Sequence, residues 1–205
     1  YRYDQVEYDK SNKQIRIIQP NIDQKNKWKE ELGEINFNKL IYLSNINSKN
    51  IDMLVWPETA VPFFLDYKKN FSNIISNKVS RSVILGARRY NKEKNELYNS
   101  AYFLNSNGDV KQIYDKKHLV PFGEFIPFID FINVFVETGI KNNGITGFTV
   151  GEKKNEIVVD NFTTYAIFIC YESIFSSEVD QNIINSDLII HLTNDAWFGS
   201  YSGPQ

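Results

Sequence analysis

The strongest constraint on this chain is a series of short apolar runs separated by polar or amphipathic stretches. Residues 14–19 (Gln-Ile-Arg-Ile-Ile-Gln) read as a buried strand ended by Pro20. Residues 52–56 form a second short apolar strand, stopped by Pro57, and residues 82–86 a third. Residues 188–192 form the last. Trp28, Leu32, Ile35 and Leu40 recur at roughly helical spacing and predict an amphipathic helix over 27–44. Residues 67–80 and 174–184 are further helix candidates. The runs 98–104 and 110–114 flank Asn105-Ser106-Asn107-Gly108-Asp109, a hairpin signal because Asn and Gly both tolerate positive φ. The runs 157–159 and 163–169 flank Asp160-Asn161, a second hairpin. Hairpins mixed with strand–helix units imply a layered α+β or α/β fold with a mixed sheet.

Two hundred and five residues suffice for one sizeable core. A 42% hydrophobic and 23% charged composition argues against disorder. Lys+Arg of 23 against Asp+Glu of 25 leaves a net charge of -2, without the basic footprint of a nucleic-acid binder or a polybasic lipid-binding segment. No apolar run reaches the ~20 residues of a membrane span. The most apolar stretch, 125–136, is broken by Pro127, Asp130 and Asn133. No signal peptide is visible at Tyr1-Arg2-Tyr3-Asp4. The chain begins without Met, stops at Gly203-Pro204-Gln205, and reads as a piece of something longer. One cysteine and two histidines allow no intrachain disulfide and argue against a thiolate zinc site; no metal and no cofactor are expected.

Three residues at strand ends carry chemistry. Cys170 directly follows the apolar run Ala166-Ile167-Phe168-Ile169 and precedes a polar Tyr171-Glu172-Ser173 turn. A lone Cys beside such a run also suits a buried structural thiol. To react well near neutral pH it needs a base or a cation close by. Glu58, in Val55-Trp56-Pro57-Glu58-Thr59-Ala60, is a carboxylate that could take the thiol proton. Alone it could equally be a surface-loop acid. Lys116, in Tyr114-Asp115-Lys116-Lys117-His118, could stabilise an oxyanion and depress the thiol pKa. Alone it could be a solvated charge.

Glu58, Lys116 and Cys170, in that order and each after a strand, resemble the triad of the nitrilase (carbon–nitrogen hydrolase) superfamily. Longer motifs resemble its apolipoprotein N-acyltransferase branch. They are Trp56-Pro57-Glu58-Thr59-Ala60, the stretch 114–127 with Lys116-Lys117-His118-Leu119-Val120-Pro121-Phe122-Gly123-Glu124, Ile169-Cys170-Tyr171-Glu172, and Asn194-Asp195-Ala196-Trp197-Phe198-Gly199. Gln19-Pro20-Asn21-Ile22 followed by Trp28 fits too. The resemblance implies an αββα four-layer sandwich over 14–205, truncated at its C-terminal end, with 1–13 a linker from an upstream membrane region. It implies a periplasm-facing domain of an inner-membrane protein, which moves an acyl chain from a phospholipid through a Cys thioester to the N-terminal amine of an apolipoprotein.

By the same resemblance Glu58 is the base, Lys116 the oxyanion partner and Cys170 the nucleophile. Glu124 matches a second essential glutamate that orients the lysine, or is otherwise a turn residue. Tyr171 and Glu172 match residues shaping the site, with a surface acid as the alternative for Glu172. Trp28 and Trp197 match aromatic positions tied to substrate access; without the family, Trp28 reads as core and Trp197 as packing under its own loop. His118 reads as a supporting hydrogen-bonding histidine, and His191, inside an apolar strand, as a satisfied core histidine. Phe125, Phe128, Phe131 and Phe135 suggest either a core helix or a mobile arm that dips into the bilayer surface. Two other functions fit the residues: a soluble amidase using the same triad on a small amide, and a non-enzymatic scaffold.

Overall fold

The computed structural model describes residues 13–65, 71–121, 123–125, 147–152, 156–160, 163–175 and 186–194. In chain order the elements are β1 (Ile15–Ile17), α1 (Gln24–Lys27), α2 (Glu30–Asn45), β2 (Met53–Phe64), α3 (Phe71–Val79), β3 (Ser82–Asn91), β4 (Glu96–Leu104), β5 (Val110–Asp115), β6 (Glu156–Asp160), β7 (Thr163–Ile169) and β8 (Leu188–Leu192). A 3-10 turn, Cys170–Ile174, follows β7.

Two sheets form. The first has order β1-β2-β3-β4-β5, parallel from β1 to β3 and antiparallel onward. The second has order β6-β7-β8, with β6 antiparallel and β8 parallel to β7. Buried side chains divide into two cores. Leu54, Trp56, Val83, Leu85 and Tyr102 on one face of the first sheet pack with Phe37 and Leu40 of α2 and Phe71 and Ile75 of α3. Val55, Ile84, Ala101 and Phe103 on its other face meet Ile157, Ile167, Ile169 and Ile190 of the second sheet. The first four residues of β2, Met53 to Trp56, therefore read as an unbroken apolar run because both faces of the strand are covered. Helix, sheet and sheet make three layers of the expected sandwich. The expected helix over 174–184 lies outside the described residues beyond Phe175.

The helix expected over 27–44 begins later, at Glu30, where Glu30 and Glu31 favour its positive N-terminal end. Its buried face is Gly33, Asn36, Phe37, Leu40 and Ser44. Ile35, counted on the apolar stripe from sequence, is exposed, because the stripe was phased from Trp28 and Trp28 lies before the helix. The Trp56 indole is fully buried and donates to Ser44 Oγ at 3.0 Å, which ties α2 to β2. β3 runs beyond the expected 82–86 to Asn91 and pairs with β4 up to a shared charged turn. In the β4–β5 hairpin the Asn105 carboxamide oxygen accepts from the Asn107 and Asp109 N–H groups, and only Gly108 of the Asn-Gly pair has positive φ.

Candidate active site

Pro57 does not stop β2 as expected. The strand continues to Phe64, and its pairing with β3 slips between Trp56 and Val61. The slip is a bulge, with Thr59 at φ 43, and Glu58 sits inside it. The bulge lies directly on Gly86 of β3. A Cβ there would stand 2.4 Å from the Pro57 carbonyl oxygen and 2.6 Å from the Glu58 Cα, so only glycine permits the approach.

Lys116 follows the last residue of β5, and its backbone N–H donates to the Asn99 carbonyl at 2.8 Å. Its side chain runs inward and is 1% exposed. The ammonium donates to Glu124 Oε2 at 2.8 Å and lies 3.7 Å from Glu58 Oε1. Asn99 on β4 joins the two carboxylates: its Nδ2 donates to Glu58 Oε1 and to Glu124 Oε1, each at 2.8 Å. The Val120 N–H donates to Glu124 Oε2 at 2.9 Å. Burial pushes the Lys116 ammonium toward the neutral form, but the carboxylates of Glu58 and Glu124 outweigh it and hold its pKa above the ordinary lysine value.

Cys170 opens the 3-10 turn at φ 51, a left-handed conformation costly for a residue with a Cβ. His191 on β8 meets its carbonyl at 2.8 Å. A carbonyl only accepts, so the imidazole Nε2 carries the proton. His191 is exposed, which corrects the core assignment: it faces out of the second sheet while Ile190 and Leu192 face in. Burial first, then the Glu58 carboxylate, pushes the Cys170 thiol above its ordinary pKa, against the pull of Lys116 and the Tyr171 N–H. Lys116 does depress the thiol as expected, but burial and the Glu58 carboxylate outweigh it.

Glu58, Lys116, Glu124, Cys170, Tyr171 and Asn194 all open on one cavity of about 310 Å³. Glu58 Oε2 is buried and has no hydrogen-bond partner, so it retains a free acceptor. Glu172 is not a surface acid. It is 2% exposed, and its Oε1 accepts from Tyr114 Oη (2.6 Å), Lys117 N–H (2.7 Å) and His118 N–H (3.3 Å), while Oε2 accepts from Ile169 N–H (2.8 Å). It thus joins the Lys116 loop to the Cys170 turn. His118 contributes that backbone N–H and a ring stacked on Phe175 at 4.1 Å. Tyr171 is 43% exposed at the cavity rim. Trp28 is 42% exposed and stacks on Arg88, so it is not core. Trp197 lies outside the described residues, as does the 125–136 arm apart from Phe125, which bridges to Gly147.

Two residues were missed from sequence. Asn99 had a signal, being polar in the middle of an apolar strand. Lys27 had none. It is buried beneath the bulge, where its ammonium donates to the Glu58 carbonyl at 3.2 Å and to Thr59 Oγ1 at 2.5 Å. Burial lowers its pKa to about 8, partly offset by Glu58. This has a consequence for stability. Between about pH 8 and the unfolded value of 10.5, the unfolded chain holds a proton that the folded chain has released, so Lys27 makes stability rise with pH. Denaturant unfolding from pH 7.5 to 9.5 should show wild type gaining stability relative to Lys27→Met. Parallel curves would contradict the buried, depressed ammonium.

A thiol at the end of β7, an ammonium just after β5, one carboxylate in the β2 bulge and another in the loop after Lys116 share one cavity of a mixed α/β sandwich. The chain belongs to the carbon–nitrogen hydrolase family, whose profile matches residues 14–205. It is 34% identical over 201 residues to the apolipoprotein N-acyltransferase of Sinorhizobium fredii, covering 93% of this chain and 38% of that protein. It is 33% identical to the Brucella suis apolipoprotein N-acyltransferase, with 93% and 37% covered. The chain therefore spans little more than a third of the length of these relatives. Among solved structures it resembles a Helicobacter pylori carbon–nitrogen hydrolase (TM-score 0.56, 13% identity, 88% of this chain and 58% of that one). It also resembles the NitN amidase of Neterenkonia sp. AN1 (TM-score 0.56, 13% identity, 88% and 64%). The carbon–nitrogen hydrolase sandwich expected from sequence is thus the fold observed. No helix among the described residues is long and apolar enough to cross a membrane.

Proposed function

We propose that this chain is the catalytic domain of an apolipoprotein N-acyltransferase, spanning 14–205, with 1–13 linking it to a membrane region and the domain facing the periplasm. The observation that carries the reading is the shared cavity of Glu58, Lys116, Glu124 and Cys170, taken with the identity to acyltransferases over 93% of the chain.

The acyl donor is a phospholipid and the acceptor the N-terminal amine of a diacylglyceryl-cysteine apolipoprotein. Glu58 Oε2 takes the proton of Cys170 as the sulfur attacks the ester carbonyl. The Lys116 ammonium balances the oxyanion, held in place by Glu124 and Asn99. Collapse breaks the ester C–O bond, and the leaving lysophospholipid oxygen receives the proton from Glu58. The amine then attacks the thioester, Glu58 takes its proton, and the sulfur leaves and is reprotonated. A thiol that rests protonated suits this scheme, since the base deprotonates it only as it attacks.

The full-length protein in detergent, mixed with phospholipid, should gain one fatty-acyl mass that hydroxylamine removes. Adding a diacylglyceryl-cysteine peptide should discharge that adduct onto the peptide. Turnover of a small amide with no acyl increment would instead identify an amidase, and neither signal would leave a scaffold.

A further inference from the structure

The Cys170 cavity is one part of the concave surface around Glu58. A second cavity, of about 260 Å³, is lined by Trp28, Arg88, Asn99 and Phe148, and shares Glu58, Gly123 and Glu124 with the first. A third, of about 450 Å³, adjoins it at Trp28 and Arg88, where Lys27, Pro62 and Phe63 form part of its wall. A molecule reaching Cys170 along this edge passes Arg88.

Arg88 sits on β3, opposite Asn99 of β4 and Phe64 of β2. Its guanidinium carbon lies 4.0 Å from the Trp28 ring centroid and 4.6 Å from that of Phe64. Aromatic rings hold the face of a guanidinium and leave the edge, where its N–H groups point, to meet an acceptor. Arg88 Nε is buried and has no hydrogen-bond partner. A buried donor left unmet is costly and points to an absent acceptor. The surrounding charge favours an anion. Among the described residues lining the three cavities, the cations are Lys27, Lys29, Arg88 and Lys116 and the carboxylates Glu30, Glu58 and Glu124, and the Glu124 carboxylate is already engaged by Lys116, Asn99 and Val120. One cation remains in excess among them.

We propose that Arg88, framed by Trp28 and Phe64, is the subsite for the phosphodiester of the acyl donor. This rests on the acyltransferase reading above. The two cavities then divide one lipid: its ester reaches Cys170 while its phosphate meets the Arg88 edge, and Pro62 and Phe63 offer an apolar wall beyond. The subsite also separates the two substrates. The donor brings a phosphate anion, whereas the acceptor amine, when protonated, is repelled by the same guanidinium. Trp28 acts here by holding Arg88 in place.

Thioester formation by the full-length protein in detergent tests this, with phosphatidylethanolamine and with a diacylglycerol of the same chains as donors. Arg88→Gln should raise KM for phosphatidylethanolamine at least tenfold while kcat stays within twofold. The penalty on diacylglycerol should be at least tenfold smaller. Arg88→Lys should recover part of the loss, because it keeps the charge but not the planar fork. Equal penalties on both donors, or no change in KM, would overturn the subsite. Calorimetry separates the sources of phosphate. Glycerophosphoethanolamine should bind wild type and not Arg88→Gln; binding of inorganic phosphate alone would overturn the donor assignment. That binding also scores the subsite when neither lipid acylates Cys170, so failure of the acyltransferase reading is distinguishable.

Discussion

Cys170→Ala is expected to yield no fatty-acyl adduct and to reduce acyl transfer by at least about 10⁴-fold, roughly the cost of deleting a covalent nucleophile. The loss should be chemical. Alanine also carries a Cβ and meets the same left-handed backbone at φ 51, so the strain of the turn is unchanged and folding should be preserved. Intact mass of the wild-type and variant proteins after lipid addition reads the adduct, and a thermal melt reads the fold. Cys170→Ser should also fail to accumulate adduct, because a hydroxyl is much harder to deprotonate than a thiol. Transfer by Cys170→Ala within tenfold of wild type would remove the cysteine from the mechanism.

Glu58→Gln should move two observables in opposite directions. Acyl transfer should fall by about 10²- to 10⁴-fold, the usual worth of a positioned general base. Reaction of Cys170 with iodoacetamide should shift to lower pH. After burial, the Glu58 carboxylate is the next cause holding the thiol pKa up, and glutamine removes that charge while keeping the volume. The variant would thus hold more thiolate at a given pH yet transfer less acyl chain. The measurement is an alkylation-rate profile from pH 6 to 10 beside an acylation assay. An unchanged alkylation profile would place the carboxylate too far from the sulfur to act as its base.

The strand ends were the legible part of the sequence. Glu58, Lys116 and Cys170 could be singled out because each closes an apolar run, and the structure opens all three on one cavity. Less legible was how they get there. Proline ordinarily ends a strand, yet β2 continues through Pro57 as a bulge, and Gly86, some thirty residues on, provides the space. Local pattern cannot report such a long-range fit. Lys27 illustrates the same limit. A lysine in a run of polar residues looks solvated, and only the bulge folded above it makes it buried. Trp28 misled the helix phase because spacing alone does not mark where a helix begins. Asn99 was readable in principle, since a carboxamide on a covered strand must find partners, and it found both carboxylates.

Glu172 has a consequence for how such a site can adapt. Its single carboxylate receives donors from both loops, one rooted in each sheet. Sliding one sheet over the other would strip three hydrogen bonds, those from Tyr114, Lys117 and His118, from a buried carboxylate. Cys170 and Lys116 therefore travel as one unit or not at all. A cavity built this way cannot widen from its floor. Variation in what it accepts has to be written at the mouth, in side chains such as Tyr171 and Trp28, while Cys170 and Lys116 keep one fixed spacing.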